Sequence, residues 1–213
     1  MRLVPWWALL SSGCAPVLLV GGWNLAEWMQ GPGYDPTTRT ISVLAAYGMP
    51  GYGVMTGMLL VLGACYIVTA FGLRAATLLG RAALAGGGIS AMVLTLVPAP
   101  PSGGSFGHGA VVTVGFGLLA IWPVLAVDRG ARAPWGLRPA LARGDGGASW
   151  GLRPDVAIAV SAAMCACAVW FLVGLQLQGL PGVAERVLTF AQALWPFLVV
   201  VSCWPHQVAS EPA

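Results

Sequence analysis

Charge is what this chain has least of. Only 8% of its 213 residues are charged, and lysine is absent, so all ten basic residues are arginine. Seven carboxylates oppose them and leave a net charge of +3. So little polar surface cannot cover a water-soluble globule. Nucleic-acid binding would call for a basic stripe on a soluble face, which scattered arginines do not form. There is no GxSxG, no phosphate-cradling glycine loop and no Asp-rich pair of the kind that holds Mg²⁺ and a diphosphate. Chemistry that begins by ionising a diphosphate is therefore disfavoured. The histidines, cysteines and acids show no metal-ligand spacing, so neither a metal nor a cofactor is expected.

What the chain has instead is apolar length. Hydrophobic residues make up 58% of it, and the mean hydropathy is +0.81. A spanning helix uses roughly 20 apolar residues to cross about 30 Å of hydrocarbon. Apolar runs fall at 6–29, 51–73, 77–97, 109–127, 156–175 and 187–204, separated by Gly, Pro and charge. The reading is an all-α, multi-pass protein of the cell membrane: one six-helix transmembrane bundle spanning 1–213, with membrane lipid as its solvent. The first run continues past Ser11-Ser12-Gly13-Cys14, a faint likeness of a lipoprotein cleavage site, and reads as an uncleaved helix. Arg2, Arg74, Arg81, Arg129, Arg132, Arg138, Arg143 and Arg153 fall on one side, and only Arg39 and Arg186 on the other. Arginine excess marks the cytoplasmic side, which puts both termini and the loop 128–154 there. Cys14, Cys65, Cys165, Cys167 and Cys203 all sit in apolar segments and are expected to be buried packing residues.

Smaller signals refine the picture. Asp35-Pro36-Thr37-Thr38 reads as an N-cap with proline at the first helical position, opening a short surface helix through Arg39, Ile41, Leu44 and Ala45. Gly53 and Gly57 are spaced for close helix packing. Pro134-Trp135-Gly136-Leu137-Arg138-Pro139 is echoed by Ser149-Trp150-Gly151-Leu152-Arg153-Pro154, and Ala120-Ile121-Trp122-Pro123 by Ala193-Leu194-Trp195-Pro196.

Ionisable groups at membrane depth are expensive and mark function by default. Asp128, Asp145, Asp155 and Glu211 fall in the cytoplasmic loop or tail, as does His206. Glu27, Asp35 and Glu185 gather at the outer end with Arg39, His108 and Arg186. Asn24 lies one turn before Glu27 on the same helix face, and Glu185, Thr189 and Gln192 follow i, i+4, i+7, a polar stripe that must face the bundle interior. A dry pocket favours the protonated form of a carboxyl, the form that donates a proton, so Glu27 leads as catalytic acid with Glu185 as second carboxylate. Trp23, Trp28, Tyr34, Tyr47, Tyr52, Phe106 and Trp195 are placed to offer π-faces to a developing cation. The bland reading pairs Glu27 with Arg39 or Arg186, starts a helix at Glu185 and makes the aromatics an interfacial belt.

Gly33-Tyr34-Asp35-Pro36 with Thr40-Ile41-Ser42, then Gly63-Ala64-Cys65-Tyr66, His108-Gly109, and Glu185-Arg186 before Ala193-Leu194-Trp195-Pro196 form a pattern over most of the chain. It resembles an actinobacterial family of small six-helix membrane proteins catalogued as a domain of unknown function. Some small bacterial membrane proteins of similar size and look are terpene cyclases of indole-sesquiterpenoid pathways, akin in activity to larger fungal membrane cyclases. The resemblance implies metal-independent, acid-started cyclisation of a prenylated, often epoxidised, lipophilic small molecule. The roles come from the residues themselves and not from the resemblance: Glu27 and Glu185 are expected to be catalytic, with the substrate held among Trp23, Asn24, Tyr34, Asp35, Arg39, Tyr52, His108, Arg186, Thr189, Gln192 and Trp195. The alternative is a non-catalytic permease or assembly partner whose outer polar cluster binds a solute.

Overall fold

A computed structural model describes residues 4–127, 149–177 and 179–204. Among them the chain forms seven α-helices and no strand: α1 Trp6–Trp28, α2 Ile41–Leu44, α3 Tyr52–Gly72, α4 Leu78–Val93, α5 Phe106–Ala126, α6 Pro154–Gln176 and α7 Pro181–Cys203. A 3₁₀ turn at Trp150–Leu152 precedes α6. The longer helices pack in chain order, α1 on α3, α3 on α4, and so on to α7, which returns to α1 and closes a ring. Short connections at 73–77 and 177–180 make α3 and α4, and α6 and α7, antiparallel pairs. One end of the ring carries Glu27, His108 and Glu185; the other carries Thr77, Ala126 and Cys203.

Five helices are long and apolar enough to cross a membrane. The other two are α2, of four residues, and α4. The apolar run to Val97 predicts a full span, but the helix stops at Val93, 16 residues or about 24 Å. Its start is fixed where Thr77 Oγ1 accepts from Gly80 N at 3.2 Å. Its end unwinds through Leu94–Val97 before Pro98, Pro100 and Pro101, which cannot extend a helix.

Helix α4 is narrow and glycine-rich, and the backbones meet there. Gly63 of α3 and Gly88 of α4 face each other: a Cβ on Gly88 would lie 2.6 Å from the Gly63 carbonyl oxygen and 3.0 Å from Tyr66 Cβ. The expected close-packing pair, Gly53 and Gly57, instead has nothing within 4 Å of either site. Spacing alone does not say which side of a helix meets a neighbour. Gly88→Ala is therefore expected to cost about 1–3 kcal/mol by overpacking, seen as a lower melting temperature in detergent. Gly53→Ala should hold or raise that temperature, because it adds helix propensity in open space.

Two further expectations fail. Only Cys203 is buried; Cys14 and Cys165 are exposed, and Cys65 and Cys167 are intermediate. In a membrane bundle an apolar residue is as much at home on the lipid face as in the core. The surface helix opened by Asp35 also breaks in two. Residues 36–39 form a single turn, and α2 starts afresh at Ile41. The loop 128–154 is shorter at its far end than expected, since α6 begins at Pro154 with Arg153 and Asp155 paired at 2.7 Å. The Pro134–Pro139 half of the first echo lies outside the described residues, as do Asp128, Asp145, His206 and Glu211.

Candidate functional site

Helix α7 is longer at its start than its apolar run predicts. Pro181 takes the first helical position, so Glu185 and Arg186 sit within the helix rather than before it. Adjacent residues on a helix point about 100° apart, and these two face different surroundings.

Arg186 points to α1 and the loop above it. Its Nε donates to Glu27 Oε1 at 2.9 Å, and Nη2 donates to the same oxygen and to Tyr34 Oη at 3.1 Å. Its Nη1 reaches the carbonyls of Pro36, Arg39 and Gly182 at 2.8, 3.0 and 2.8 Å. One guanidinium thus fastens α1, the 34–39 segment and α7 together. Gly182 lies directly beneath the Pro36, Thr37 and Arg39 carbonyls, where a side chain would collide. Those carbonyls, turned toward α7, cannot continue a helix from Asp35, which is why the expected surface helix is interrupted. Burial pushes the Tyr34 phenol up, against the opposing pull of Arg186.

Asp35 is exposed and caps its own turn. Its Oδ1 accepts from Thr37 N at 2.9 Å and Thr37 Oγ1 at 2.7 Å, and its Oδ2 from Thr38 Oγ1 at 2.8 Å. These bonds hold its carboxyl below the usual carboxylate range. A depressed folded value means that the turn's stability is complete above the ordinary carboxylate pKa and is lost as pH falls through the folded one. The protection factor of the Thr37 amide, its exchange rate compared with that of an unstructured chain at the same pH, should accordingly fall on acidification below about pH 4, and Asp35→Asn should flatten that response.

Glu185 points into the bundle and is 2% exposed. Its Oε1 accepts from Ser42 Oγ at 2.8 Å, and its Oε2 from the Ile41 amide at the head of α2. With the Arg186 guanidinium committed elsewhere, Glu185 forms no ion pair among the described residues. It lines a cavity, partly open to the outside, between α3, α4, α5 and α7. Ile41, Ser42 and Ala45 of the α2 segment line its Glu185 end, and Tyr66 and Leu119 lie deepest in the helices. The walls are Leu, Met, Val, Ala and Gly, with Phe116 and Tyr66 the aromatic faces. Thr189 and Gln192 line it below Glu185, and His108 lines it from α5.

The two Trp-Pro echoes gain a structural meaning. Pro123 and Pro196 lie inside α5 and α7, and each leaves the carbonyl four residues earlier, Leu119 and Gln192, without its helical donor. Counting back 4, 7 and 11 residues from each proline gives Leu119, Phe116 and Val112 on α5, and Gln192, Thr189 and Glu185 on α7. All six line the cavity. The two helices present matching faces, one apolar and one polar.

The expected site residues therefore divide. Glu185, Thr189, Gln192 and His108 come together around one cavity. Glu27 does not reach it and is held by Arg186, a correction to its leading position, because α7 carries Arg186 on the face that meets α1. Asn24 is exposed and folds its Nδ2 onto the Val20 carbonyl at 2.7 Å, so it orients neither acid. Arg39 and Asp35 are exposed, and Tyr34 belongs to the Arg186 cluster. Trp23 is buried in the core beside the cavity, and Tyr52 packs edge-on with Tyr47 at 5.4 Å. Trp195 lies toward the opposite end, 6.0 Å from Trp150. Tyr47 and Phe106 are 75% and 94% exposed, so the aromatic ring expected around the site is largely a belt. Ser42, Ser90, Tyr66 and Phe116 are cavity residues that the sequence reading passed over. Ser42 and Tyr66 stood in the sequence only within the stretches Thr40-Ile41-Ser42 and Gly63-Ala64-Cys65-Tyr66, without a role.

A family model described as "Protein of unknown function (DUF998)" matches residues 13–202. The chain belongs to the DUF998 family. No curated protein and no solved structure matches the chain. The matched stretch contains every cavity residue of this DUF998 chain, and both partners of the Glu27–Arg186 pair.

Proposed function

We propose that the chain is a membrane-bound cyclase of a prenylated, lipophilic substrate, started by a proton from Glu185. The observation that carries this reading is the different fate of two acids at one end of the bundle. A single guanidinium serves Glu27, while Glu185 meets an apolar cavity with only hydrogen-bond donors for company. Environments that separate two carboxyls in this way are how acid and spectator roles are divided. In this reading the bundle lies in the cell membrane with six passes, α4 and Leu94–Val97 together making the third, both termini are cytoplasmic, and the cavity lies toward the outer face.

The chemistry is a net isomerisation. Glu185 in its acid form gives its proton to an epoxide oxygen or a terminal alkene. The C–O or π bond opens, a neighbouring alkene closes the ring onto the electron-poor carbon, and the resulting cation loses a proton to the carboxylate left behind. Tyr66 and Phe116 offer π-faces to the cation, and apolar walls withhold water that would quench it. Ser42 Oγ can donate to the carboxylate or accept from the acid, so it serves both states of Glu185.

A permease would need a polar route through the far half of the bundle. There Trp122, Leu84 and Ala126 are buried, and Ser149 and Gly151 bond to Cys203 and Ser202 across the end of α7. The test is membranes from cells expressing the protein, supplied with an epoxyfarnesyl-indole. Cyclised product from the wild type and its loss in Glu185→Gln are expected. No product from the wild type, or undiminished product from Glu185→Gln, sinks the reading.

A further inference from the structure

Two cavity residues have one half of their polar side chain engaged and the other half unpaired. Gln192 is 1% exposed; its Nε2 donates to the Phe116 carbonyl at 3.1 Å, and its Oε1 is buried with no partner among the described residues. His108 Nδ1 lies 2.9 Å from the Val97 carbonyl, which only an N–H can satisfy, so in the neutral ring the proton is on Nδ1 and Nε2 is left with a lone pair. That Nε2 is likewise buried and without a partner. The backbone bonds fix the sense of both groups: each can only accept.

A buried acceptor left unpaired is costly, and a bound molecule that offers it a donor recovers that cost. Apolar walls recognise length and shape but not this. We infer that the molecule bound in this cavity is an apolar chain whose polar end carries a hydrogen-bond donor, an O–H or N–H, received by Gln192 Oε1. A ligand of the same shape whose polar end only accepts is rejected. The inference rests on the cavity being the site proposed above, and it names the polar chemistry of its ligand.

Matched probes test it with protein in lipid nanodiscs: farnesol, farnesyl methyl ether and farnesylamine, which share a chain and differ in the donor. Farnesol is expected to bind about tenfold or more tightly than the ether. Gln192→Met, whose melting temperature without ligand reports its fold, should bring farnesol and ether within about twofold. Equal binding of alcohol and ether by the wild type, tighter binding of the ether, or no binding of any probe overturns the inference. The amine separates this inference from the cyclase reading. An amine held far more tightly than the alcohol reports an ionised Glu185, which defeats the proton donor while the donor preference stands. Cyclisation without discrimination between alcohol and ether does the reverse.

Discussion

Glu185→Gln is expected to leave the fold intact and lower cyclised product by a factor of about 10²–10⁴, the range that a positioned proton donor contributes. Glutamine keeps the length and an oxygen that can accept from the Ile41 amide or from Ser42 Oγ, so the Glu185 end of the cavity retains its attachment. What it cannot supply is an acidic proton. Glu185→Leu removes the proton and both acceptor oxygens together, leaving the Ile41 amide buried and unpaired, a loss of about 1–3 kcal/mol in stability as well as of activity. Comparing the two by melting temperature and by product formation separates the acid from the tether. Equal melting temperatures for glutamine and leucine would show that the α2 segment does not depend on Glu185.

The largest stability effect is expected at Arg186. Its guanidinium and the Glu27 carboxylate are only 14% and 18% exposed. Removing one partner of such a pair leaves the other charged and poorly solvated, at about 3–5 kcal/mol for a buried pair. The release of three backbone carbonyls and Tyr34 Oη adds to that in Arg186→Leu. Reduced yield of folded protein and a markedly lower melting temperature should follow. Glu27→Gln should be milder, because an arginine near the end of a helix can reach water and lipid headgroups. The double variant Glu27→Leu with Arg186→Leu should recover part of the loss of Arg186→Leu alone. Additive losses in that cycle would mean that the pair itself is not what matters, and that the carbonyl contacts hold the loop.

These two residues also mark where sequence reading succeeds and where it stops. The polar stripe Glu185, Thr189, Gln192 was legible because helical periodicity is geometry local to one segment, and a polar row in an apolar helix has few places to face. The pairing of Glu27 with Arg186 was one of two readings the sequence left open, and nothing local decided between them. Glu27 and Glu185 sit in similar settings, each near a helix end with polar residues a turn away. Their difference arises because Arg186 follows Glu185 by one position, and one residue's rotation about α7 turns it from the cavity to α1. Ser42 escaped for the opposite reason: nothing in its own segment points to a partner 143 positions later. The glycines teach the same point, since Gly53 and Gly57 have the spacing of a packing motif and Gly63 and Gly88 have the contact.

Composition and the length of the apolar runs determined that this chain is helical and built for a membrane, because a backbone in lipid must satisfy its own hydrogen bonds and 20 apolar residues in a row leave few other structures open. Turn chemistry determined most helix ends to within a few residues, by the same local rules. Ring closure, the hollow between α3, α4, α5 and α7, and the division of labour between two acids were decided only by tertiary packing. Each depends on which face of a helix meets which neighbour, and where lipid is as apolar as the core, hydrophobicity does not distinguish those faces.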